Sequence, residues 1–398
     1  MLPRVKINFE NGALGSVAPS ADGVVGLVCT ASTVVGGLQL NTAYTLRSID
    51  DLQGLGVTPK SEDANAFLYK TISEFFVERG AGAELWLMCF PNTYTQSQLV
   101  DITNDYAKKL LLEANGRIRV LGIAVKPTTE GMVANALSED TYTAIGKAQA
   151  LAVYMTDVKF APLVVLIEGR GFNGKPSELK DLNEMSNNRV GVVIGDSESN
   201  SKGAAIGLLL GRVARVPVQR HIGRVLDGAI KSDSIFVGQA RPDGSDVEAI
   251  HNKGYITFRT FVGRSGYFFT DDGLATSADD DYKFMARRRT IDKAYRIAYN
   301  RLLSYVNSEI PLTATGGIPS AFAKSIESDV VAAVIGEMLP DGNLGVDTSD
   351  PTDKGVKCFV DYNQNIAATG RLNVVLQVKP YGYSKYIDVK LGFITINS

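Results

Sequence analysis

Residues 24–29 read VVGLVC, 84–90 ELWLMCF, 163–168 LVVLIE and 190–195 VGVVIG. Each run is apolar without alternation, as expected of a strand covered on both faces. Segments with helical spacing lie between them. Residues 63–79 turn Phe67, Ile72, Phe75 and Phe76 inward and stop at Gly80; 98–113 stop at Asn115-Gly116; 142–157 and 202–213 continue the pattern. A further strand is expected over 117–125. Apolar strands alternating with amphipathic helices predict a mainly parallel sheet with helices on both faces, an α/β domain over residues 23–216.

After Pro217 the alternation breaks. Residues 254–262 (GYITFRTFV) and 266–269 predict a hairpin. The longest helix is expected over 279–309, with Asp279, Asp280 and Asp281 at the end the helix dipole makes positive and Pro311 as its stop. A second helix is expected over 319–338, with Pro319 near its first turn. Strand candidates follow at 356–362, 372–379 and 385–396. Together these make an α+β domain over 217–384.

Both ends carry strand periodicity. Val5, Ile7 and Phe9 alternate with Arg4, Lys6 and Asn8; Ile387, Val389, Leu391 and Phe393 alternate with Asp388, Lys390 and Gly392. The glycine- and proline-containing stretch from Asn11 to Gly23 tethers the first of these to the body. Residues 1–22 therefore read as a linker arm and 385–398 as a strand arm. A lone terminal strand makes no sheet by itself, so each arm must pair with something in its own chain or another.

Composition narrows the function classes. The 398 residues include 41 basic and 43 acidic side chains, a formal charge of −2, so the basic surplus of a dedicated nucleic-acid binder is missing. Cys29, Cys89 and Cys358 sit in strand-like apolar runs and read as reduced core thiols. The start, MLPRVKINFENGALG, holds no apolar secretory core, and no run reaches the length of a membrane helix, so synthesis and folding in a cytoplasm are expected.

Candidate chemistry is thin. Gly169-Arg170-Gly171-Phe172-Asn173-Gly174-Lys175 follows a strand as a phosphate loop does, but Pro176 stands where such a loop needs Ser or Thr. The small residues of 203–211 (GAAIGLLLG) lack a preceding dinucleotide-binding turn and read as close helix–sheet packing. Ser197, Ser199 and Ser201 lack a nucleophile elbow. His221 and His251 stand apart in sequence, with no neighbouring Cys or His, so a metal site would need several distant carboxylates. No catalytic, cofactor-binding or metal-binding residue is expected. The sharpest basic cluster is Lys283, Arg287, Arg288, Arg289, Lys293 and Arg296. It reads either as a solvated flank with local pairs such as Asp292 with Arg296, or as a surface docking onto an acidic protein.

The stretch from Gly254 through Arg259-Thr260 to Gly266-Tyr267-Phe268-Phe269, an Asp-rich turn, and Arg287-Arg288-Arg289-Thr290-Ile291-Asp292 resembles the contractile tail sheath family. Leu210-Gly211-Arg212-Val213-Ala214-Arg215, Ile222-Gly223-Arg224-Val225 and the terminal strands are similar to the same family, over about residues 190–398. The resemblance implies a non-enzymatic structural subunit that stacks as rings around an inner tail tube protein. It also implies arms that complete neighbours' sheets, and contraction from an extended to a tighter packing that drives the tube through an envelope. Its implied partners are further copies of itself, the tube, and baseplate and tail terminator proteins, without nucleic acid, cofactor or membrane insertion. Its implied place is a virion tail or contractile particle assembled in the bacterial cytoplasm. On this reading either the long helix, with Lys283, Arg287, Arg288, Arg289, Lys293 and Arg296, or the helix over 319–338 faces the tube. The competing reading is an α/β ligand-binding protein or enzyme with a site near 169–175.

Overall fold

The computed structural model of the chain describes residues 21–80, 82–199 and 201–392. Val5, Ile7, Phe9 and Phe393 lie outside the described residues. Two compact units divide between Ser308 and Glu309. The boundary that composition suggested at 216/217 falls inside the first unit.

The first unit is built on a six-stranded sheet. Its strands are β1 (Val25–Thr30), β2 (Ala43–Leu46), β3 (Leu85–Phe90), β4 (Val120–Ala124), β5 (Val164–Glu168) and β6 (Val190–Val193), in the order β2-β3-β1-β4-β5-β6. All neighbours are parallel except β2, which runs antiparallel to β3 at the edge. β2 was not legible because four residues, AYTL, give too short a pattern. Every residue of β1, β4, β5 and β6 is buried, which is why these runs do not alternate.

Helices cover both faces. Val25, Leu27 and Cys29 point to a core under α1 (Asp63–Arg79) and α4 (Ile206–Arg215), which contribute Leu68, Ile72, Phe75, Leu209, Leu210 and Val213. Val28 points to the opposite core, under α2 (Ala107–Glu113) and α3 (Glu139–Asp157), with Leu110, Ile145, Ala148 and Leu151. The helix expected over 98–113 is broken: one turn at Gln96–Leu99 ends before Asp101, whose carboxylate accepts from the Thr103 N–H and hydroxyl and closes a turn.

Of the small residues of 203–211, Gly203 lies against Glu168 of the sheet, while Gly207 and Gly211 serve helix–helix packing. A Cβ at Gly207 would lie 2.0 Å from the Thr71 carbonyl oxygen, and one at Gly211 2.8 Å from that of Phe75, so α4 lies directly on the backbone of α1. The hairpin forms as β7 (Phe258–Phe261) and β8 (Arg264–Phe269). The long helix α5 spans Met285–Leu302, starting after the three aspartates. Residues 273 and 274 hold the chain just before it: Gly273 bridges Phe284, and Leu274 N–H donates to the Lys283 carbonyl.

In the second unit, α6 (Ser320–Met338) packs Ile326, Val330 and Val334 inward. It is covered by an antiparallel ribbon of β9 (Val356–Val360) and β10 (Val374–Val378). Glu327 accepts the Val360 N–H and ties helix to ribbon (2.9 Å). Cys358, expected in the core, is half-buried on this ribbon, whereas Cys29 and Cys89 are buried side by side in β1 and β3. The fold is thus mixed α/β, with an N-terminal mainly parallel domain and a C-terminal α+β region.

Candidate assembly site

The C-terminal segment keeps the alternation of a strand but forms none among its described residues. Residues 381–392 carry no helix, strand or turn. Ile387, Val389 and Leu391 are 78%, 77% and 96% exposed. A strand needs a partner for its backbone groups, and among the described residues no strand pairs with 385–392. Burying one such side chain contributes roughly 1.5–3 kcal/mol, so this exposed set is the surface that association can cover.

The β9–β10 ribbon is the complementary feature. Among the described residues it is a two-stranded sheet, so each strand has one ladder edge on which no described strand pairs. Its outer face exposes Lys357, Phe359, Val375 and Gln377 around an open depression of about 440 Å³.

The basic cluster is not the surface stripe that its composition suggested. Lys283 is buried, and its ammonium donates to Asn183 Oδ1 and to the Leu274 and Thr276 carbonyls (2.6–2.9 Å). Arg288 pairs with Asp292 (2.9 Å), which also takes Arg189 (3.0 Å). Arg289 is buried and donates to the Val216 carbonyl. Lys293 and Arg296 pair with Asp22, at 2.7 and 3.6 Å. Arg287 lies half-buried over the Phe284 ring. Burial of the α5 flank against the sheet domain turns these cations into internal braces. Asp22 as their acidic partner had no sequence signal, being 271 residues from Lys293.

The region near 169–175 is filled by the chain's own groups. The buried Glu168 carboxylate accepts the Val125 and Ala204 N–H groups (2.8 and 3.0 Å), and burial pushes its pKa up. Gln96 exchanges hydrogen bonds with the Glu168 backbone, and Arg170 pairs with Glu130. Lys175 pairs with Glu178 in an exposed single turn, not at the start of a helix. The Ser197 hydroxyl donates to Glu74, a carboxylate rather than an imidazole.

The two histidines, distant in sequence, meet at Asp271. His221 Nε2 lies 2.7 Å from Asp271 Oδ1 and 3.4 Å from Asp272 Oδ1, and His251 Nδ1 lies 3.9 Å from Asp271 Oδ2. His221, Asp271 and Asp272 lie close enough together to hold a cation. The Gly223 N–H, however, donates to His221 Nδ1 (3.0 Å), which leaves the proton on Nε2 pointing at Asp271. Asp272 Oδ2 is taken by the Ala286 N–H at the positive end of α5. The cluster therefore works as a brace between the 217–230 segment and the start of α5. Among the described residues, no helix is long and apolar enough to cross a membrane.

A family model described as DUF2586, N-terminal domain, matches residues 2–273, and DUF2586, C-terminal domain, matches 281–398. The chain belongs to the DUF2586 family. No curated protein matches this DUF2586 chain by sequence. Three solved structures share its fold over nearly the whole length. A chain of the anti-feeding prophage (AFP) baseplate, 6-fold symmetrised, is 17% identical, with 99% of both chains covered and a TM-score of 0.64. A chain of the PVC sheath complex of an extracellular contractile injection system, in the contracted state, is 14% identical, with 98% of this chain and 97% of that one covered and a TM-score of 0.60. A chain of the AFP baseplate in contracted state is 11% identical, covers both chains fully and has a TM-score of 0.63. This DUF2586 chain thus shares its fold with chains of these sheath and baseplate assemblies.

Proposed function

We propose that this DUF2586 protein is the structural subunit of a contractile sheath, polymerising as stacked rings around an inner tube and contracting to drive that tube through a target envelope. The observation that carries the reading is the fold shared over nearly the whole length with a chain of a contractile injection system's sheath complex and with chains of the AFP baseplate. The exposed strand-like segment and the open-edged ribbon support it, since together they are a donor and an acceptor for strand addition between copies. In this reading Ile387, Val389, Leu391 and Phe393, with Val5, Ile7 and Phe9 from the other arm, pair on the free edges of β9 and β10 of neighbouring subunits. Main-chain hydrogen bonds supply strength and alternation sets register. The compact units move as rigid bodies, and the energy of contraction is the difference between two lattice packings, without nucleotide hydrolysis. The tube is held by surfaces other than the braced basic set on α5. Baseplate and terminator proteins cap the polymer, and the particle assembles in the bacterial cytoplasm.

Negative-stain electron microscopy of the protein co-expressed with its tube protein tests this. Hollow, cross-striated cylinders are expected. Dispersed monomers in the presence of the tube would overturn the reading in favour of a ligand-binding α/β protein.

A further inference from the structure

The root of the N-terminal linker is held by charge. Asp22 lies in the single turn Ala21–Gly23, directly before β1. Its carboxylate receives Lys293 at 2.7 Å and Arg296 at 3.6 Å. Its backbone carbonyl receives Arg289 at 3.5 Å, and Arg289 also donates to the Val216 carbonyl at the end of α4. Residues 289, 293 and 296 fall on one face of α5, at spacings of four and three. Arg119 adds a fourth cation: burial first, and the Arg296 charge with it, bring its pKa down to about 10, while the Asp22 charge pulls the other way. The turn is also clamped sterically. A Cβ at Gly23 would meet the Ala214 carbonyl oxygen at 2.7 Å, so the chain passes against α4 with no room to shift.

We propose that Asp22 is an electrostatic latch that fixes residues 21–23 to α5, and so fixes the point and direction from which the N-terminal arm leaves the body. The latch sits mostly out of water, where a one-charge change is felt by several cations at once. On the sheath reading above, on which the functional half of this inference rests, a fixed exit lets movement of the body transmit directly to a neighbour gripped by the arm. Asp22 acts here as a positioning residue. It sets where the arm starts and not what the arm binds.

The test is hydrogen exchange of the full-length chain, comparing wild type, Asp22→Asn and the charge swap Asp22→Lys with Lys293→Asp. The latch predicts that amides of 23–25 exchange at least about tenfold faster in Asp22→Asn, the equivalent of ~1.4 kcal/mol of opening. Amides of β4 and β6 should keep their wild-type rates, and the swap should restore much of the protection at 23–25. Unchanged exchange at 23–25, or a uniform rise across the whole first unit, would overturn the latch. Cylinder formation with the tube protein is scored in parallel. If wild type forms cylinders, Asp22→Asn is expected to form at most a third as many and the swap to recover them. Equal yields despite faster exchange would overturn the functional half alone. Failure of wild type to form cylinders would overturn the sheath reading and leave the exchange result standing.

Discussion

Glu78 and Arg212 face each other in full burial, with Arg212 Nε 2.5 Å from Glu78 Oε1. Glu78 also accepts from Arg215 (3.2 Å) and from the Lys231 N–H (2.8 Å). Arg212 in turn donates to the Gly228 carbonyl (3.2 Å). One ion pair thus joins α1, α4 and the 222–231 segment, which are far apart in sequence. Removing Arg212 takes from the buried Glu78 its nearest counter-charge and leaves only the partly exposed Arg215 and the Lys231 N–H against it, whereas removing both members takes the buried charge away as well.

Arg212→Met is therefore expected to cost about 3–5 kcal/mol of unfolding free energy. Glu78→Leu combined with Arg212→Met is expected to recover most of it. Denaturant titration of the two variants checks this. A loss below about 1 kcal/mol in the single variant would show that the pair does not brace the helices.

A second prediction concerns pH. Glu74 is moved from its ordinary 4.5 to about 7, chiefly by burial and also by the charges of Asp196 and Glu198, against the pull of Lys70 and the Ser197 hydroxyl. Its neutral form is the one the fold prefers. Stability is thus not penalised below about pH 4.5, and falls as pH rises from there through about 7. The full effect is on the order of 3 kcal/mol. Melting curves from pH 5 to 8 should show this decline in wild type and a flatter profile in Glu74→Gln. Parallel profiles would remove Glu74 as the titrating group.

The α1–α4 contact yields a third. Gly207→Val would drive a branched side chain into the Thr71 carbonyl, where even a Cβ comes within 2.0 Å. A loss of about 1–3 kcal/mol or more is expected, read as a lowered melting temperature. Gly146→Ala, in α3 with open space around the added Cβ, is the control and should be neutral or slightly stabilising.

Ile387, Val389 and Leu391 yield a fourth. They are exposed, so changing all three to Asp should leave the melting temperature of the isolated chain within about 1–2 °C of wild type, surface changes there being nearly neutral. The same change should abolish polymerisation, measured by sedimentation with the tube protein. A lowered melting temperature would mean that the segment packs on its own chain.

The sheet was legible because β1, β3, β4, β5 and β6 carry unbroken apolar runs that only double coverage explains. The ribbon and α6 were legible from period and proline placement. The basic set was legible only in part: a local pair at Asp292 was expected and forms with Arg288, but sequence does not show the distant groups that meet the rest, since Asp22 and Lys293, or Arg189 and Asp292, are neighbours only after folding. The same holds for His221 and His251, which converge because Asp271 sits where β8 turns toward α5. At the C-terminus the period of a strand is real, but a period names a face and not a partner. Residues 385–392 therefore read as strand while forming no ladder with the other described residues.

The most direct measurement is electron microscopy of the full-length chain beside a chain ending at Ser384, each co-expressed with the tube protein. The account predicts striated cylinders from the full-length chain and only folded, dispersed subunits from the shortened one. Cylinders of equal length and striation from both would contradict the claim that the C-terminal segment links the subunits.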